Sequence, residues 1–264
     1  IIIFRYNLDM TDGSKLQFLV GTTDSGETIY GDFQKTGHFL SCGHVGSGHA
    51  SYDEAAFVTN LLQNYSPDEL QFIMIDPKMV QLTPYEGIPY LWRPLAMNPD
   101  DAFNAVKDLL DEMERRFDML MDAGVNTIVE YNAKVEEKMP FIILLATEIA
   151  DLMMVNGEFF GRAFIKFTQM ARAVGIHMYL ATQRPSADVL IDVVLGGTFG
   201  RLIFAVASDI DSERLLGDTS AAKITEQGRL IFADYTSNII ESVKANYVTD
   251  EEVMKVVESI KESN

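Results

Sequence analysis

Five short, almost unbroken apolar stretches constrain this chain more than anything else in it. They are residues 72–76 (FIMID), 141–145 (FIILL), 176–182 (IHMYLAT), 201–207 (RLIFAVA) and 229–233 (RLIFA). Runs of this length and continuity suit strands buried on both faces, as in a parallel sheet covered by helices. The segments between them supply those helices. Over 101–121, Ala102, Val106, Leu109, Leu110, Met113, Phe117 and Leu120 recur at three- and four-residue steps, with charged residues opposite. Phe159, Phe160, Ala163, Phe164, Phe167, Met170 and Val174 repeat the pattern over 157–174. This alternation predicts an α/β domain with a mainly parallel, doubly wound sheet. Residues 16–20 and 27–31 differ, alternating in polarity around Asp24-Ser25-Gly26, and predict a β-hairpin. The expected division is a small β extension over 1–35 and one large domain over 36–264.

Composition narrows the function. No apolar run approaches the length of a membrane span, and the single cysteine, Cys42, cannot form an internal disulfide. Both fit a reducing cytoplasmic setting. The chain starts at Ile1 and so reads as a domain of something longer. Its 39 acidic and 21 basic residues give a net charge of −18, which opposes nonspecific attraction to DNA phosphates.

After the apolar residues His38 to Ser41 comes Gly43-His44-Val45-Gly46-Ser47-Gly48-His49-Ala50, then a helical pattern through Leu62. The glycines Gly43, Gly46 and Gly48 are those of a Walker A phosphate loop, G-x-x-x-x-G-K-[ST], in its strand–loop–helix setting. Such a loop turns backbone N–H groups toward phosphate at a helix N-terminus. The motif's Lys reaches the β- and γ-phosphates and its hydroxyl binds Mg²⁺. Here those positions hold His49 and Ala50. A neutral imidazole replaces an ammonium poorly, and Ala50 has no oxygen. Ser51 is rotated about 100° off the required face. With Ser47, these residues are the candidate nucleotide-binding set. As a helix-start residue, His49 is expected at the surface, with phosphate contact as the sharper alternative.

Longer motifs follow in order. They are Phe72 to Val80 (FIMIDPKMV), Tyr85 to Pro89, Glu112 to Phe117, Glu130-Tyr131-Asn132, Ile149 to Met154, Ala171 to His177 and Ala181 to Val189 (ATQRPSADV). Together with Val248 to Val253, they resemble the motor domain of the FtsK/SpoIIIE family across roughly residues 16–260. The resemblance implies a RecA-like P-loop core in a hexameric ring that moves double-stranded DNA by hydrolysing ATP. It also implies roles by position: Glu148 to activate water, Gln183 as γ-phosphate sensor and Arg201 acting across a subunit interface. Gln183 and Arg184, before Pro185, equally fit an ordinary turn.

The departures fall on the chemistry. The family's Walker B pair is Asp-Glu, and here it is Thr147-Glu148. With Ala50, Thr147 removes the expected Mg²⁺ ligands, so no metal ligand is assigned. ATP binding is then expected to be weak, with Mg²⁺ only if ATP binds, and hydrolysis slight or absent. The alternatives are an active double-stranded DNA translocase with an atypical site, and a redesigned or diverged sequence that keeps only the fold.

Overall fold

The computed structural model describes residues 16–185 and 199–262. Ser186, Ala187, Asp188 and Val189 of the ATQRPSADV motif lie outside the described residues. Strands β1 (Gln17–Thr23) and β2 (Thr28–Asp32) form the expected hairpin. A single helical turn, α1 (Phe33–Thr36), leads into β3 (His38–Cys42). The phosphate-loop helix, α2, runs through His49–Ser51, a π-helical stretch Tyr52–Phe57, and Val58–Asn64. Then come β4 (Leu70–Ile75), α3 (Pro99–Ala123), α4 (Ile128–Lys134), β5 (Phe141–Ala146), α5 (Ile149–Met170) and β6 (Ile176–Thr182). The rest is β7 (Phe199–Phe204), α6 (Asp209–Leu216), β8 (Arg229–Asp234), β9 (Ile239–Ala245) and α7 (Asp250–Glu262).

These strands form one sheet in the order β2-β1-β9-β8-β7-β3-β6-β5-β4. The five from β7 to β4 are parallel, and every residue of β3, β5, β6 and β7 is buried. That two-sided burial is the physical origin of the apolar runs. The strands beyond β7 pair antiparallel, and β9 joins the hairpin to this same sheet. In α5 the helical pattern begins before residue 157, with a break at Asn156 (φ −152°). Asn156 Oδ1 accepts from Phe159 N–H at 3.2 Å, restarting the helix as a cap would.

Phe18, Phe33, Phe39, Phe57 and Tyr179 pack at the centre of the core. Phe57 stacks on Tyr179 at 3.9 Å and Phe18 meets Phe39 edge-on at 4.9 Å. Below them lie two histidines. His38 Nδ1 accepts from Met178 N–H at 3.0 Å, and His177 Nδ1 lies 2.7 Å from the Gly37 carbonyl.

A buried arginine ties α3 to the turn that precedes β6. Arg116, 1% exposed, donates from Nε to Glu112 (2.8 Å) and from Nη1 to the Val174 carbonyl (2.9 Å). Arg116→Ala should cost about 3 kcal/mol in urea unfolding, because it strands buried acceptors. Arg115→Ala removes a half-exposed contact to the same carboxylate and should cost under about 1 kcal/mol. Equal costs for the two would contradict this account.

Candidate functional site

The phosphate loop leaves the C-terminal end of β3, between β7 and β6, where open α/β sheets hold ligands. Gly46 (φ +88°) and Gly48 (φ +92°) take left-handed conformations that side chains resist. Gly48 also packs against Gly228, where an added Cβ would lie 2.8 Å from the Gly228 nitrogen. Gly228 N–H in turn donates to the Ser47 carbonyl at 2.8 Å. Part of the cradle is self-satisfied: Ser47 N–H donates to His44 O (3.1 Å) and His49 N–H to Ser47 Oγ (3.4 Å). Ala50 and Ser51 follow on the first turn of α2, with Ser51 exposed.

His49 is not at the surface. It is 2% exposed, and its Nε2 lies 2.9 Å from Asp53 Oδ2, itself 2% exposed. The contact is an ion pair poorly aligned for a hydrogen bond. Burial lowers the His49 pKa, but the Asp53 carboxylate, the Glu148 charge and the Ser41 backbone together raise it above its ordinary value. Asp53 Oδ1 accepts from Tyr179 Oη at 2.6 Å. Residue 49 is therefore held inward, toward β6.

Sequence reasoning missed Asp53 and Tyr179. A His four residues before an Asp on a helix was the available signal for the first. Tyr179 offered none.

The ends of β5 and β6 bring Glu148 and Gln183 together. Glu148 is 3% exposed. Its Oε1 accepts from Thr182 Oγ1 (2.6 Å) and Ala150 N–H (3.3 Å), and its Oε2 from Gln183 N–H (3.2 Å). Lys78 Nζ lies 3.5 Å from Glu148 Oε2 and 3.7 Å from Asp151 Oδ2. Thr147 Oγ1 donates to the Ile75 carbonyl at 3.4 Å. Arg184 N–H donates to Thr182 Oγ1 at 3.0 Å, a local turn bond.

Arg201 lies elsewhere. On β7 it is paired in register with Leu40, and its guanidinium donates to the Leu215 carbonyl and sits 5.0 Å over the Tyr235 ring. Burial lowers its pKa against the opposing effect of Tyr235.

Beside the start of α2 opens a cavity of about 330 Å³, lined in part by Gly48, Tyr52, Gly228, Lys244 and Tyr247. The Lys244 ammonium is paired with Glu226.

A glycine-built loop in this sheet order defines a RecA-like P-loop fold. Solved structures agree. The conjugation coupling protein TcpA of pCW3, in its monomer form with ATPγS, superposes with a TM-score of 0.78 at 25% identity, covering 94% of this chain and 70% of that one. EssC (ATPases 2 and 3) from Geobacillus thermodenitrificans gives 0.80 at 20% identity, over 94% and 49%, and speaks to the fold alone.

The chain belongs to the FtsK/SpoIIIE family, whose model matches residues 4–187. It is 36% identical over 256 residues to the DNA translocase FtsK of Streptococcus pneumoniae, covering 93% of this chain and 33% of that protein. Against the DNA translocase FtsK of Rickettsia prowazekii the figure is 35% over 282 residues, covering 94% and 38%. The chain thus spans about a third of the length of these curated relatives and is a homologue of their motor domain.

Proposed function

We propose that this domain is a pseudo-ATPase of the translocase type, which takes a nucleoside triphosphate weakly and does not turn it over. The observation that carries this reading is the sealed His49–Asp53 pair. The residue at the motif's lysine position is spent on an internal carboxylate. Phosphoryl transfer depends on cationic groups that neutralise charge on the transferring phosphate. Here the loop keeps its glycine geometry, and the charge at position 49 is answered by Asp53 rather than offered to phosphate.

The Mg²⁺ that the family implies does not fit the donors present. Ala50 has no side-chain oxygen, and the Thr147 hydroxyl is turned to a backbone carbonyl. Among the described residues, no group of three or more His, Cys, Asp and Glu side chains is set to hold a metal ion.

The cavity beside Gly48 supports weak nucleotide binding, since Tyr247, 69% exposed, is among its lining residues and an aromatic ring can stack on a base. Within this reading, residues 1–35 are the β extension and 36–264 the motor-type core. A homohexameric ring, duplex DNA and a cytoplasmic setting carry over from the family as proposals. For DNA, the charge of −18 demands a locally basic surface. Among the described residues, no helix is long and apolar enough to cross a membrane.

The test is phosphate release from ATP and Mg²⁺, with and without duplex DNA, beside thermal unfolding with ATP. The expected result is release at the buffer blank, with a small ATP-dependent rise in Tm. DNA-stimulated release above the blank would overturn the proposal in favour of an active translocase. No shift at millimolar ATP would reduce the domain to a scaffold.

A further inference from the structure

The positive charge missing from the phosphate loop has a counterpart two strands beyond β6, on the turn after β4. Resting on the nucleotide-binding reading above, we infer that the Lys78 ammonium is the resident cation of this site, and that a nucleoside triphosphate binds without a divalent metal.

The placement of Lys78 follows from strand register. β4 and β5 pair in parallel with Ile75 opposite Ala146, and Thr147 N–H donates to the Ile75 carbonyl at 3.2 Å. The turn after Ile75 is thereby set beside Thr147 and Glu148. That turn is built around Asp76, which is 1% exposed. Its Oδ2 accepts from the N–H groups of Val80 (3.0 Å), Gln81 (2.7 Å) and Leu82 (2.9 Å). A carboxylate gathering three N–H groups holds its loop firmly, so Lys78 is carried on a preformed element. Its ammonium then spans Glu148 and Asp151 at 3.5 and 3.7 Å.

The same contacts argue against a divalent ion in that place. Mg²⁺ requires near-octahedral oxygen donors at short range. Both Glu148 oxygens already accept from Thr182, Ala150 and Gln183, and an ammonium stands beside them. A divalent ion there would have to displace these donors to gain its ligands, and in the resting site it would compete with the ammonium for the same carboxylate. Lys78, by contrast, is suited to a mobile role. Its side chain is 45% exposed, while Glu148 is 3% exposed. The long stem can leave the carboxylates and point its three donors at an arriving phosphate.

The experiment is an ATP titration of the purified chain by calorimetry, in millimolar Mg²⁺ and in excess EDTA. It is run on the parent, K78Q and K78R. Parent affinity should differ by less than about threefold between the two buffers. K78Q should weaken binding by about tenfold, the scale of one charge-assisted contact, and K78R should stay near the parent. Circular dichroism and thermal unfolding confirm that the variants fold. Should K78Q fail to fold, the metal comparison on the parent still decides. A tenfold or greater gain from Mg²⁺, K78Q binding as tightly as the parent, or no ATP binding in either buffer would each overturn the inference. Turnover of ATP in Mg²⁺ would instead strike the pseudo-ATPase reading, so the two failures are distinguishable.

Discussion

Restoring the three motif residues together, as H49K/A50S/T147D, should leave ATP binding within about tenfold of the parent; adding D53N should tighten it by about a hundredfold or more. The reason is the carboxylate four residues along. A lysine placed at position 49 begins its path where His49 does, and Asp53 lies 2.9 Å from the present side chain. A buried ammonium beside a buried carboxylate is captured by it, since either charge left alone there is costly. Asp53→Asn neutralises the trap while leaving an amide oxygen for the Tyr179 hydroxyl, which donates at 2.6 Å. With the trap gone, the introduced lysine, serine and aspartate would supply the cation and the metal ligands the family motif uses. Calorimetry of parent, triple and quadruple variants in Mg²⁺ checks this. If the triple variant binds as tightly as the quadruple, Asp53 is no trap. If the quadruple variant binds no better than the parent, the site is damaged beyond its charges.

A second large effect is expected below neutral pH. His38 is pulled down to about 3, first by burial and then by the His177 charge; His177 is pulled down to about 4, first by burial. The tautomers follow from their partners. His177 Nδ1 faces a carbonyl, which only accepts, so its Nε2 is left to accept from Gln34. His38 accepts at Nδ1, so its proton is on Nε2. Both rings are thus neutral in the folded protein.

Each folded pKa lies below the unfolded value near 6.5, so the stabilisation is complete above pH 6.5 and is lost as pH falls toward 4 and 3. At full development each histidine represents about 3–5 kcal/mol, a large part of an ordinary domain's stability. Glu54 acts the other way. Burial raises it to about 7, so its contribution is lost as pH rises from 4.5 to 7, and the histidines outweigh it below pH 6. Urea midpoints should fall steeply between pH 6.5 and 4.5. Imidazole C2 proton signals of His38 and His177 should not titrate between pH 8 and 5. Either ring titrating near 6.5 would refute the assignment.

The parts of this structure that were legible in the sequence share one property: their side chains report local burial directly. The strands buried on both faces announced themselves as apolar runs, and α3 and α5 as periodic stripes. β9 went unread because Ile239–Ala245 is mostly exposed and carries Glu241 and Lys244 among its apolar residues. The π-helical stretch of α2 had no sequence signal either.

At the site, the glycine skeleton and the loss of Lys, Ser and Asp could be read one position at a time. The direction of His49 could not. It depends on Asp53, which Tyr179 holds from 126 residues away. Arg201 illustrates the converse. Resemblance assigned it a role across a subunit interface, and within the chain its side chain is engaged by Leu215 on α6 and Tyr235 after β8.

The hydrogen bonds that seat the phosphate loop have a consequence for how such a domain can be cut. Ser47 O receives Gly228 N–H, and Gly228 O receives Ala245 N–H, each at 2.8 Å; Ala245 in turn stands opposite Gly21 in the hairpin. The loop thus rests on residues drawn from both ends of the described chain. A fragment stopping after β7 would retain every glycine of the motif and lose the shelf beneath it. In this fold the phosphate loop is not a portable cassette, because its shape belongs to the finished sheet.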